Sequence, residues 1–184
     1  MSNYIRAKIK GGTYFFTLIT FNRRPLFNEE LARICLRSSF KETREKYPFK
    51  IDAICLLPDH LHCIWTLPKH DENFSIRWSM IKGRFSIQYL KKGGIDGKRN
   101  KSRSKKGEAA LWQRRFWEHC IRDNEDMNKH IDYIHYNPVK HRYVKKPFDW
   151  EWTSFHKYLK INKYSPEWGT NEPKTIQNFN CLGE

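Results

Sequence analysis

The sequence has no run of about 18 apolar residues and no early apolar segment behind MSNYIRAKIK, so neither a membrane-spanning helix nor a secretory leader is expected. It has no CxxC pair. Its cysteines, Cys35, Cys55, Cys63, Cys120 and Cys181, are odd in number and scattered, which argues against zinc, redox and disulfide frameworks and for reduced thiols. Nothing resembles an ATP-binding glycine loop, and no internal repeat is visible. Acid is scarce: 20 Asp plus Glu face 35 Lys plus Arg, for a formal net charge of +15. An excess of that size in one domain attracts polyanions, with nucleic acid first among them. Aromatic residues, by contrast, are plentiful at 15%, and 184 residues suffice to bury a core without disulfides or a structural metal. A single domain over residues 1–184 is expected, in the cytoplasm and associated with the nucleoid.

Hydrophobic patterning then sets the order of elements. GGTYFFTLITF, residues 11–21, is aromatic and β-branched after a glycine pair and reads as a buried strand. A helix follows over NEELARICLRSSFKETREKY, with Asn28 suited to its start and Leu31, Ile34 and Cys35 at helical spacing. FKIDAICLL and HLHCIWTL, joined by a Pro58-Asp59 turn, read as a hairpin. SIRWSMIKGRFSIQYLKK is a second amphipathic helix through Ile76, Met80, Ile81 and Phe85, exposing Arg77, Lys82 and Arg84. Residues 91–106, KKGGIDGKRNKSRSKK, are too basic and glycine-rich to bury apolar surface and read as a mobile loop, a solvated linker or a DNA-contacting arm. FWEHCIR reads as a fourth strand. DNEDMNKHIDYIHYN, residues 123–137, is the best-marked helix: Asp123 or Asn124 caps it, acids fill its first turn, and Pro138 ends it. A tail begins at about 147. The order strand, helix, strand, strand, helix, strand, helix predicts an α+β protein with one mainly antiparallel sheet and helices packed on it.

Within LLPDHLHCIW two imidazoles interrupt an apolar strand. Side chains at i and i+2 share a face about 7 Å apart along the chain, a gap that one metal with bonds of about 2.1 Å can bridge. His60 and His62 have that spacing. Such a pair alone is more often two hydrogen-bonded or surface histidines, so a third ligand has to be found. On the last helix, at about 100° per residue, Met127, Ile131 and Ile134 form the buried stripe, while Tyr133, Asn137 and His130 lie within about 60° of one another on its flank. If that helix covers the histidine-bearing sheet, Tyr133 and Asn137, one turn apart, reach the same edge as His60 and His62. His130 would stand behind them. Two imidazoles and an amide leave open positions on a divalent ion, where a phosphodiester oxygen can be polarised. A tyrosine oxygen beside it could attack that phosphorus and store the bond energy as phosphotyrosine, so that a strand is cut and rejoined without ATP. The plain alternative for Tyr133 is a structural aromatic at the sheet edge.

The segments LLPDHLHCIWTLP, RRFWEH and HIDYIHYNPVKHRYV, with IKGGTYFFT before and DWEWTSFHKY after, cover most of the chain in order. Together they strongly resemble the REP-associated tyrosine transposases, single-tyrosine HUH nucleases related to the small insertion-sequence transposases. The resemblance implies a ferredoxin-like HUH fold and a Mg²⁺ or Mn²⁺ ion on His60 and His62, with Asn137 as third ligand and Tyr133 as nucleophile. Ligand softness alone would lean toward zinc. It also implies a substrate of single-stranded DNA folded as a repetitive extragenic palindrome (REP) hairpin with a short guide sequence at its foot, a 5′-phosphotyrosine and a free 3′-OH as cleavage products, and a self-contained monomer. Arg6, Lys8, Lys10, Arg23, Arg24, Arg114 and Arg115 are candidate phosphate or base contacts. The basic 91–106 segment looks like an insertion relative to that family. Two other classes stay open at this stage: a DNA-binding protein without catalysis, and a metal-dependent nuclease in which water attacks.

Overall fold

The computed structural model describes residues 8–177 and 179, so Arg6 and Cys181 lie outside the described residues. Four strands, β1 (Thr13–Ile19), β2 (Lys50–Leu56), β3 (His60–Thr66) and β4 (Trp117–Cys120), form one sheet in the order β2-β3-β1-β4. Every neighbouring pair is antiparallel. With α1 (Glu30–Lys46) between β1 and β2 and α2 (Phe74–Lys91) between β3 and β4, this is the split βαβ, ferredoxin-like arrangement. The α+β class and the order of elements are as expected.

The central strand β1 is apolar along its length because both of its faces are covered. Tyr14, Phe16 and Leu18 join Leu61, Cys63 and Trp65 against α1 and α2. Trp65 and Trp78 stack there at 4.0 Å. On the other face Phe15 and Ile64 meet Ile131 and Ile134 of α4 (Asn124–Lys140). The alternation of β3 therefore sends His60 and His62, with Ile64, toward α4. The Pro58-Asp59 turn is pinned from outside: Thr20 donates to the Asp59 carbonyl through its N–H (2.8 Å) and hydroxyl (2.9 Å), and Phe27 N–H donates to Pro58 O.

Several details differ from the sequence reading. Leu26–Asn28 form a 3₁₀ turn and α1 starts after Glu29. Ile34 is exposed, while Leu36 and Phe40 carry the stripe on that helix. In α2 the buried side is Phe74, Trp78, Ile81, Phe85 and Tyr89, and Arg77 is 1% exposed rather than on the surface. Its guanidinium reaches Asp71 (2.7 Å) and the carbonyls of Asn73 and Pro48, so burial leaves the charge paired. The 91–106 segment holds a short helix, α3 (Lys101–Lys105). Arg103 anchors it, buried, donating to Ala109 O and Trp112 O and lying 4.3 Å over the Phe21 ring. The other basic residues of α3, Lys101 and Lys105, are exposed.

Pro138 does not end α4, which continues to Lys140. Proline removes only its own donor, and the turn after it is held by His141 N–H to Asn137 O (3.0 Å). The helix stops instead at Arg142, with φ +59°, where Arg142 N–H and Tyr143 N–H cap the carbonyls of Val139 and Pro138. The tail packs back: Phe155, Tyr164 and Ile176 are buried beside α4. A fifth helix, α5 (Phe155–Lys160), starts it. Among the described residues no helix is long and apolar enough to cross a membrane.

Candidate active site

The site forms between β3 and the flank of α4. His60 and His62 are both buried, with ring centroids 5.0 Å apart. Each Nδ1 has a backing group. His60 Nδ1 lies 2.6 Å from Asp59 Oδ1, and because a carboxylate only accepts, that nitrogen carries the hydrogen. His62 Nδ1 lies 2.9 Å from Thr17 Oγ1, its register partner on β1. Backing of Nδ1 in this way, on His62 when Thr17 accepts, is the arrangement by which metal-binding imidazoles are oriented to ligate through Nε2. Asp59 is tied on its other oxygen to Arg23 Nη1 at 3.0 Å. Burial works to raise the Asp59 carboxyl, but the hydrogen bonds from His60 and Arg23 outweigh it and hold the group below the usual carboxylate range.

Along α4, Tyr133, Asn137 and His141 stand one turn apart. The Tyr133 ring lies 5.4 Å from that of His62, and the His141 ring 5.0 Å from that of His60. Asn137, fully buried, sits between them along the helix. The helical arithmetic thus holds for Tyr133, which lies beside His62, with Asn137 one turn on along the same helix. Tyr133 is 2% exposed. Phe15 at 6.1 Å and tail residue Phe179 at 5.4 Å flank its ring edge-on. Its hydroxyl accepts a hydrogen bond from Lys140 Nζ at 3.0 Å.

His130 packs on Phe15 and Phe179, the rings that flank Tyr133, at 4.8 and 4.9 Å. Its ring stacks on His119 at 4.6 Å, and its Nδ1–H donates to Asp126 O at 2.8 Å. His119, Asp126 and His130 are the one group of His, Cys and acid ligands among the described residues compact enough for a cation, with donor atoms within 4.8 Å. Their atoms are engaged in hydrogen bonds that tie β4 to the first turn of α4: His119 Nε2 and Arg122 N–H both donate to Asp126 Oδ2, at 2.8 and 3.0 Å. Burial opposes the charge on Asp126, but these donors hold its carboxyl down to about 2.

The candidate DNA contacts divide by their partners. Lys8 and Lys10 are exposed near the start of the described chain, and Arg115 is exposed before β4. Arg24 donates to Glu29, Ile95 O and Tyr89. Arg114 pairs with Glu108 at 2.7 Å and donates to Ser102 of α3. Sequence reasoning missed Asp59, Thr17, Lys140 and His141. Asp59 and Thr17 could have been found as neighbours of the histidines in the hairpin and in strand register, and Lys140 as the residue two turns beyond Tyr133.

Fold and constellation together define a class, the IS200-like transposases, and the sequence model of the family described as "Transposase IS200 like" matches residues 8–137. The chain is 40% identical over 168 residues to the REP-associated tyrosine transposase of Escherichia coli K12, covering 91% of each. It is 46% identical over 177 residues to a Haemophilus influenzae protein provisionally given the same name, covering 96% of this chain and 98% of that one. A solved structure of a REP-associated tyrosine transposase bound to a REP hairpin superposes with a TM-score of 0.76 at 37% identity, over 98% of this chain and all of that one. The chain belongs to the REP-associated tyrosine transposase family, and is accordingly a DNA strand transferase and endonuclease.

Proposed function

We propose that this protein cuts single-stranded DNA beside REP hairpins by direct attack of Tyr133, in a reaction that depends on Mg²⁺ or Mn²⁺. The observation that carries the reading is the juxtaposition of Tyr133 with His62 across the α4–β3 interface, at 5.4 Å between rings. In the step, Tyr133 Oη bonds to phosphorus and the P–O3′ bond breaks, leaving a 5′-phosphotyrosine and a 3′-OH. The 3′-OH of the same or another strand can reverse it, so cleavage and rejoining need no external energy source.

His60, His62 and Asn137 would hold the divalent ion, which supplies Lewis-acid polarisation of the phosphodiester. The donor set fits: the imidazoles have their Nδ1 atoms backed, and Asn137 offers an amide oxygen, a hard donor suited to Mg²⁺ or Mn²⁺. The hairpin-bound relative supports a hairpin as partner, and on this reading the chain acts as a monomer. Incubation with a REP hairpin and Mn²⁺ should give a covalent protein–DNA band on a denaturing gel, with the adduct mapping to Tyr133 in a tryptic digest. Cleavage with no covalent band would instead assign attack to water.

Two further outcomes are expected. Asp59→Asn keeps an amide beside His60 but loses the carboxylate that fixes its Nδ1–H, so Mn²⁺ affinity should fall about 10- to 100-fold. Titrating the metal-dependent rise in Tm measures it, and an unchanged midpoint would remove Asp59 from the site. On the basic segment, Lys98, Lys101, Lys105 and Lys106 are all exposed. Replacing all four with Gln should lower the slope of log affinity against log salt by about 0.7 to 0.9 for each phosphate that these lysines neutralise. An unaltered slope would make the segment a linker.

A further inference from the structure

We infer that Lys140 is a catalytic residue, whose ammonium stabilises the negative charge on the Tyr133 oxygen in both cleavage and rejoining. The inference rests on Tyr133 being the nucleophile. Lys140 Nζ donates to Tyr133 Oη at 3.0 Å and lies 4.7 Å from the ring centroid. It therefore touches the reacting atom itself.

The placement follows from the helix continuing through Pro138. Seven residues make about 700° of helical turn, so position 140 returns to the flank of position 133, two turns on. A lysine in the last turn is favoured by the helix dipole wherever its side chain points. The dipole gives no reason for the ammonium to fold back two turns to a phenol oxygen. Lys140 is also solvent-exposed, whereas Tyr133 is buried among Phe15, His62 and Phe179. The lysine thus spans from solvent to the one polar atom of a buried ring.

The chemistry calls for such a group. A phenol ordinarily holds its proton up to a pH of about 10. Before attack the proton leaves to solvent, and the oxygen bears charge until the Oη–P bond forms. The 3′-oxygen that departs takes a proton from water, so the overall step balances. In rejoining the 3′-OH attacks phosphorus, the Oη–P bond breaks, and the same oxygen leaves as phenolate. A charged donor already in place stabilises that oxygen in both directions without reorganisation. Because the lysine is exposed, the effect lies toward the low end of what such donors contribute.

Single-turnover cleavage of a REP hairpin with saturating Mn²⁺ tests the assignment. Lys140→Met is expected to slow cleavage and rejoining alike, by about 10- to 100-fold, with hairpin Kd and Tm close to wild type. Lys140→Arg, which keeps a charged donor, should recover part of the rate. Installing 3,5-difluorotyrosine at position 133, whose phenol carries negative charge more readily, should restore much of the loss in the Lys140→Met background and do little in the wild type. A Lys140→Met protein that cleaves at the wild-type rate, that loses hairpin affinity with no change in rate, or that the fluorinated tyrosine fails to rescue overturns the inference. Tyr133→Phe run alongside separates this from the parent reading: persisting cleavage there refutes Tyr133 as nucleophile, whereas its loss there with full activity in Lys140→Met refutes only the role of the lysine.

Discussion

Tyr133→Phe should abolish the covalent adduct and reduce hairpin cleavage by at least about 10⁴-fold, since the substitution removes the nucleophilic oxygen itself. The substitution removes one oxygen from a ring packed by Phe15, His62 and Phe179, so the fold should be retained. His62→Ala should cost cleavage as severely for a different reason, and the two variants separate the chemistry. On the proposed reading Tyr133→Phe leaves the ligand set whole and should retain an Mn²⁺-dependent rise in Tm. His62→Ala should lose it, because binding to the folded state alone is what raises Tm. It should also be less stable without metal, since it empties a fully buried position stacked on Phe15 at 5.5 Å. If the Mn²⁺ response survived in His62→Ala, the ion would have to be held elsewhere, and the His119, Asp126 and His130 group would be the place to look.

Strand alternation makes His60 and His62 legible, and helical angles make Tyr133 and Asn137 legible, because both periods survive any packing. What stays hidden depends on contacts between distant segments. Arg77 and Arg103 read as surface charges, yet both are buried, since the carbonyls that satisfy them belong to loops whose approach no local pattern announces. Ile34 reads as core, but the stripe of α1 is centred on Leu36 and Phe40. Lys140 is hidden by a proline. A helix stopped at Pro138 leaves position 140 outside it and off the flank of Tyr133, whereas α4 carries on for two residues past the proline.

The covered far side of α4 yields the other large effect, a loss of stability in mild acid. Asp132, His135, Tyr164 and Ser154 form a chain of hydrogen bonds between the helix, the tail and β2. Tyr164 donates to Asp132 Oδ1 at 2.5 Å, so toward His135 its oxygen accepts, and Nδ1 carries the hydrogen at 3.3 Å. Ser154 Oγ accepts from Ile54 N–H at 2.9 Å and so donates to His135 Nε2 at 2.8 Å. Adding a proton at Nε2 would set two donors against each other in a buried site. Burial above all, with repulsion from Lys163 and His156, lowers the His135 pKa from 6.5 to about 3. Below 6.5 the unfolded chain takes up a proton that the folded protein refuses, so the stability from neutral His135 is complete above that pH and drains away as pH falls toward 3. Between pH 7 and pH 5, before most carboxylates titrate, this amounts to about 2 kcal/mol. His130, also depressed mainly by burial, adds a fall of the same sign, so the measurement is a comparison. His135→Gln can still donate to Tyr164 and accept from Ser154 but does not titrate. Urea unfolding should show wild type losing about 2 kcal/mol more than this variant between pH 7 and pH 5. Equal losses would mean that the imidazole takes up a proton in the fold as readily as in the unfolded chain, leaving the Tyr164 and Thr175 bonds to Asp132 and the apolar packing to hold the tail to α4.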